Sequence, residues 1–124
     1  DALGADGLIL VNHCADPFSP KTVRATMGAC FRLPVYETET QALPGLLERS
    51  GLPLYAAALG EDTVTVGETR LNRCAVVIGS EGRGVSPELL RLSEKTMVKI
   101  PMRERCESLN AAVAAAVILW EMGR

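Results

Sequence analysis

Three glycines around one carboxylate, in the run Ile78-Gly79-Ser80-Glu81-Gly82-Arg83-Gly84-Val85-Ser86-Pro87, are the residues best able to do chemistry in this chain. An apolar stretch from Cys74 to Ile78 leads into them. Glycine alone takes positive φ without steric cost and lets a ligand approach the main chain closely. A buried strand opening into such a turn brings backbone amides and Glu81 to the end of a sheet, where α/β proteins bind ligands. The order G-x-x-G-x-G is neither a P-loop, since no Gly-Lys-Ser/Thr follows, nor a dinucleotide fingerprint. An ordinary strand-to-helix turn with Glu81 in solvent is the competing reading.

A second group lies at Glu107-Ser108-Leu109-Asn110, ahead of a long apolar run. Ser108 reads as the N-cap of a helix, with Glu107 complementing its dipole. Asn110 is a middling helix former in the first turn, so its amide is assigned to function. A third group is Asp16 to Lys21 with Arg24, which Arg32 could extend. Two cations near a helix start can meet phosphate, although a solvated face is the commoner outcome. His13 and the cysteines Cys14, Cys30, Cys74 and Cys106 read as packing residues. No CxxC pair or second His suggests a metal site, and no nucleophile–base pairing can be assigned.

Positioning these groups requires a scaffold of alternating strands and helices. The apolar pattern predicts strands over Gly7–Asn12, Leu33–Tyr36, Leu52–Ala58, Cys74–Gly79 and Thr96–Ile100, with Thr63–Val66 briefly extended. It predicts helices over Pro20–Cys30, Gln41–Ser50, Pro87–Leu92 and Ser108–Met122. Ser19 and Ser86 are the expected caps, Val23, Met27, Cys30 and Phe31 the buried stripe of the first helix, and Leu109, Val113, Val117 and Trp120 that of the last. The fold class is α/β, a mostly parallel sheet with helices on both faces. With 124 residues the chain is expected to be one domain.

Composition narrows the function. The charge is −2, which argues against a wholly cationic nucleic-acid grip while leaving room for a local patch. Dispersed thiols suit a reducing cytosol, and no apolar run approaches the ~20 residues of a membrane span. A cytoplasmic setting is the expectation. The chain begins at Asp1, and an upstream segment is expected.

Three blocks, residues 6–35, 76–90 and 100–121, together resemble the SpoU (TrmH-type) branch of the SPOUT RNA methyltransferases, the last two matching the family's second and third motifs. The resemblance implies S-adenosylmethionine as methyl donor, a ribose 2′-hydroxyl of ribosomal or transfer RNA as acceptor, a homodimer and a deep trefoil knot near the C-terminus. By motif, Leu59, Gly60, Gly79, Ile100 and Leu109 would line the cofactor pocket, and Glu81, Ser108 and Asn110 would stand at the catalytic edge. No metal is implied. The resemblance further implies that a first-motif Arg lies upstream of Asp1, so that residues 1–124 are an N-terminally truncated catalytic domain of weak or no activity. It places Glu104, between Arg103 and Arg105, where a glycine is usual. The alternatives are a non-catalytic cofactor-binding and dimerisation module of a larger RNA-binding protein, and an α/β domain for another nucleotide.

Overall fold

A computed structural model describes residues 1–60, 63–93 and 97–124. In chain order its elements are β1 (Leu8–Val11), α1 (Pro20–Thr26), a 3-10 turn (Ala29–Phe31), β2 (Val35–Thr38), α2 (Leu43–Ser50), β3 (Leu54–Ala57), β4 (Thr63–Thr65), β5 (Ala75–Val77), α3 (Pro87–Leu92), β6 (Met97–Lys99) and α4 (Ala111–Met122). All strand pairs are parallel. The α/β class and the parallel pairing agree with the sequence reading. The expected single sheet is instead two, because apolar periodicity identifies strands without saying whose edges pair. The chain divides into two compact units, residues 1–44 and 45–124.

In the first unit β1 pairs with β2, from Leu8 opposite Val35 to Val11 opposite Thr38. Asn12 closes the carboxyl end: its Nδ2 donates to Thr40 Oγ1 at 2.8 Å and its Oδ1 accepts from the Thr40 N–H at 3.0 Å. Ser19 caps α1 with Pro20 at the first helical position, as expected. The helix stops at Thr26 rather than Cys30, because Met27 (φ 49°) and Gly28 (φ 86°) both turn left-handed. The proposed buried stripe is therefore absent, and Met27 and Phe31 are exposed.

The second unit holds a four-stranded sheet in the order β4-β6-β3-β5. Alternation sets its faces: Tyr55, Ala57, Val64, Val76, Ile78 and Ile100 pack with buried Val66, Leu71, Val98 and Ile118. Ile118 brings α4 onto this core, and α3 lies against β3. Ser86 caps α3 through the Leu89 N–H. Thr96, the expected start of the last strand, lies outside the described residues. Met122 packs at the other end of α4, while Val113 and Trp120, assigned above to the core stripe, are exposed. A helix apolar all round gives no periodic signal for which face is buried. No helix among the described residues is long and apolar enough to cross a membrane.

Candidate active site

Parallel register brings three chain exits to one sheet edge. Ala56 of β3 is opposite Val77 of β5 on one side and Met97 of β6 on the other. Residues 58–60, 78–86 and 100–110 therefore all leave the sheet from its carboxyl end. These stretches contain every residue singled out above for the cofactor or for catalysis.

The exit from β5 is a self-contained turn. Ser80 and Gly84 exchange two backbone hydrogen bonds of 3.2 and 2.9 Å, and Gly82 (φ 83°) and Gly84 (φ 68°) supply the left-handed steps that close it. Gly79 is demanded by packing, since a Cβ there would run into the backbone of Gly84 and Val85. The Cβ position of Gly79 is occupied by its own chain, so the absence of a side chain there serves the closure of the turn.

Glu81 stands at the tip of this turn, and its Oε1 accepts from Asn110 Nδ2 at 3.0 Å. Asn110 is the N-cap of α4, its Oδ1 accepting from the N–H groups of Ala112 (3.0 Å) and Val113 (3.3 Å). This corrects the sequence reading in two ways. The cap is Asn110 rather than Ser108, and Asn110 has a structural role besides the functional one its position predicts. An asparagine suits this double duty, because its oxygen caps while its NH₂ is left to donate elsewhere. One carboxylate oxygen of Glu81, one N–H of Asn110 and the Ser108 hydroxyl make no hydrogen bond among the described residues.

The exit from β6 contrasts with that turn. Residues 101–110 are exposed throughout. Between Met102 and Leu109 a Cys106 N–H bond to the Arg103 carbonyl, 2.9 Å, is the single backbone hydrogen bond donated among the described residues. Ile100 packs its side chain against the core beneath, whereas Leu109 is exposed. At the β3 exit Leu59 is exposed, and Gly60 is closed on itself: its N–H donates to Thr63 Oγ1 at 2.7 Å, which donates back to its carbonyl at 2.6 Å. The edge thus offers exposed aliphatic side chains, unpaired main-chain groups and a linked carboxylate–amide pair.

The sequence matches the SpoU rRNA Methylase family over residues 1–120. The chain belongs to that family. Among curated SpoU-type relatives, it is 40 % identical to an uncharacterized tRNA/rRNA methyltransferase of Synechocystis, covering 99 % of this chain and 45 % of the relative. It is 38 % identical to a 23S rRNA (uridine(2479)-2′-O)-methyltransferase of Streptomyces viridochromogenes, covering 100 % of this chain and 45 % of that protein. Its fold superposes on an AdoMet-bound rRNA methyltransferase from Sinorhizobium meliloti with a TM-score of 0.88 at 35 % identity, over 98 % of this chain and 46 % of that one. The chain spans about half the length of the curated relatives it matches.

A different feature escaped the sequence reading of this SpoU chain. A cavity of about 470 Å³ lies within the first unit, lined by residues that include Asn12, His13, Cys14, Asp16, Glu37 and Glu39. His13 and Cys14 are exposed cavity residues, not packing ones as expected. Their pattern offered no cue, because the cavity forms only when β1 and β2 end side by side. Among the described residues no group of three His, Cys, Asp or Glu can hold a metal ion. Burial pushes the Cys74 thiol above the usual range, and the thiol donates to the Leu71 carbonyl at 3.3 Å.

Proposed function

We propose that residues 1–124 form the catalytic domain of an S-adenosylmethionine-dependent methyltransferase acting on a ribose 2′-hydroxyl of ribosomal or transfer RNA, in the cytoplasm. The observation that carries this reading is the Glu81–Asn110 hydrogen bond. It ties the β5 turn to the start of α4 at the edge where parallel strands present ligands.

The residues at that edge fit the cofactor. Exposed Leu59 and Leu109 provide aliphatic surface for the adenosine, and the unpaired main-chain groups of residues 102–109 can meet its polar edge. Leu59, Gly60, Gly79, Ile100 and Leu109 would hold it, the two glycines by shaping the backbone and Ile100 by backing the pocket from the core. Bound there, the cofactor supplies a methyl group on a sulfonium, open to in-line attack by the ribose oxygen. The chain's own task is to hold the hydroxyl on that line. The free N–H of Asn110 and the Ser108 hydroxyl orient the ribose, and Glu81 fixes Asn110 while its second oxygen accepts a substrate hydrogen bond. Such groups stabilise a transition state best when they are already in place.

The reading extends to a trefoil knot, a rare exception to unknotted folds. Its support is that β6 lies between β3 and β4, although only residues 58–62 join those two strands. It extends also to a homodimer. Val113 and Trp120 of α4 are 50 % and 60 % exposed, and Ala116 lies exposed between them on the same helical face. Sedimentation of the full-length protein should give a dimer, and Trp120→Glu a monomer. A monomer at every wild-type concentration removes the dimer.

Transfer of a tritiated methyl from labelled cofactor to RNA by the full-length protein tests the function. Asn110→Ala should lower turnover by at least tenfold, and unchanged turnover would strike Asn110 from the site.

A further inference from the structure

The first unit carries a surface that cofactor chemistry does not use. Phe18 and Phe31 stack on each other with ring centroids 6.0 Å apart and planes 17° apart, yet they are 52 % and 68 % exposed. Stacked and exposed, the two rings form one contiguous apolar patch, the kind of surface that can mark an interaction site. Local bonds hold the loop that presents Phe18: its N–H donates to Asp16 Oδ1 at 2.9 Å, and the Thr22 hydroxyl donates to the Asp16 carbonyl at 3.3 Å. Lys21 and Arg24, three residues apart on α1, share a helix face and make no ion pair among the described residues. Arg32, the third cation of the segment, is instead committed to Asp1 at 2.8 Å. Residues 17–34 contain no Asp or Glu, within a chain of net charge −2.

Cations three and six residues along the chain from an exposed ring match a polymer that alternates phosphate with flat bases. Bases stack on aromatic faces whatever their sequence, while Arg and Lys follow the backbone. We infer that Phe18 and Phe31 form a stacking platform for a single-stranded segment of the substrate RNA, flanked by Lys21 and Arg24 as phosphate contacts. The inference rests on the methyltransferase reading and adds where the RNA is gripped. A carboxylate-free segment is what the phosphate chain needs. Glu37 and Glu39, which line the cavity of the same unit, would repel it, whereas one carboxylate oxygen of Asp16 is engaged by the Phe18 N–H.

The test uses the full-length protein and a labelled, mixed-sequence single-stranded RNA, with affinity read by anisotropy across a salt series. Lys21→Glu/Arg24→Glu should weaken binding at least tenfold and lower the slope of log K against log salt by about 1.4. Phe18→Leu and Phe31→Leu should each weaken it about tenfold, with Phe18→Trp restoring affinity. Thermal midpoint and affinity for S-adenosylhomocysteine should stay at wild-type values in all of them. Leu variants that bind RNA like wild type overturn the platform. So does a loss of RNA affinity that tracks a lower thermal midpoint, since the rings would then be packing residues, or a surface that captures anionic vesicles in preference to RNA. A wild-type protein that methylates no RNA sinks the function itself, whereas wild-type transfer with KM unchanged in the variants sinks the platform alone.

Discussion

Two loops of the same sheet edge are built in opposite ways. The turn after β5 satisfies itself, with paired Ser80 and Gly84 and glycines at its left-handed positions. The connector after β6 is exposed and has one backbone bond of its own between Met102 and Leu109. The first is a rigid template, and the second has main-chain groups to spare for a ligand. Asn110 is where they meet, capping α4 with its oxygen and holding Glu81 with its nitrogen. In the proposed reading, such a site would be organised on one side before binding and completed on the other by the ligand itself.

The largest effect that would break this contrast comes from Gly79→Ala. The new methyl meets backbone, which cannot swing aside, so the loss of stability should be about 3 kcal/mol by denaturant unfolding. Gly82→Ala, with open space around it and only its φ of 83° to resist, should cost about 1 kcal/mol. Equal costs would mean that the turn does not pack on Gly79.

Asn110→Ala comes next, losing the cap and the link to Glu81, for a cost of about 1–2 kcal/mol. Asn110→Ser should recover most of that stability as a cap yet leave methyl transfer depressed, because it cannot also reach Glu81. Recovery of both would reduce Asn110 to a helix cap.

These residues also show where the sequence was legible. The glycine turn could be read because glycine spacing, φ requirement and strand end all lie within ten consecutive residues. Caps at Ser19 and Ser86 were legible for the same local reason, each followed by a proline at the first helical position. The α4 cap was misread because Ser108 and Asn110 are both good caps and local preference does not choose between them. What chose is a partner 29 residues away, Glu81. The division into two sheets and the cavity at Asn12–Asp16 depend on strand pairing, which no local pattern states. Membership of the SpoU family came from motif text rather than from periodicity, and the family match over residues 1–120 bears it out.

A smaller effect should appear in hydrogen exchange. In the free full-length protein the amides of residues 102–109 should exchange fast, then slow by at least tenfold with S-adenosylhomocysteine, while the Ser80 and Gly84 amides change little. Uniform protection of both loops would erase the difference between them. The smallest effect is in thiol labelling. Cys14 and Cys106 are exposed and should react quickly at neutral pH. Cys74, with its titration raised by burial, stays protonated there and should react slowly, accelerating only in more alkaline solution than an ordinary thiol requires. Any stabilisation from keeping this thiol neutral is present at neutral pH and fades as pH rises through its raised pKa.

The decisive measurement is a backbone amide NMR titration of the full-length protein with S-adenosylhomocysteine. Shifts concentrated at Leu59–Gly60, Gly79–Gly84 and Met102–Asn110 are the expected result. Shifts confined to the cavity residues Asn12–Asp16 and Glu37–Glu39, or none at saturating ligand, would show that the loops beyond β3, β5 and β6 do not make a nucleoside pocket.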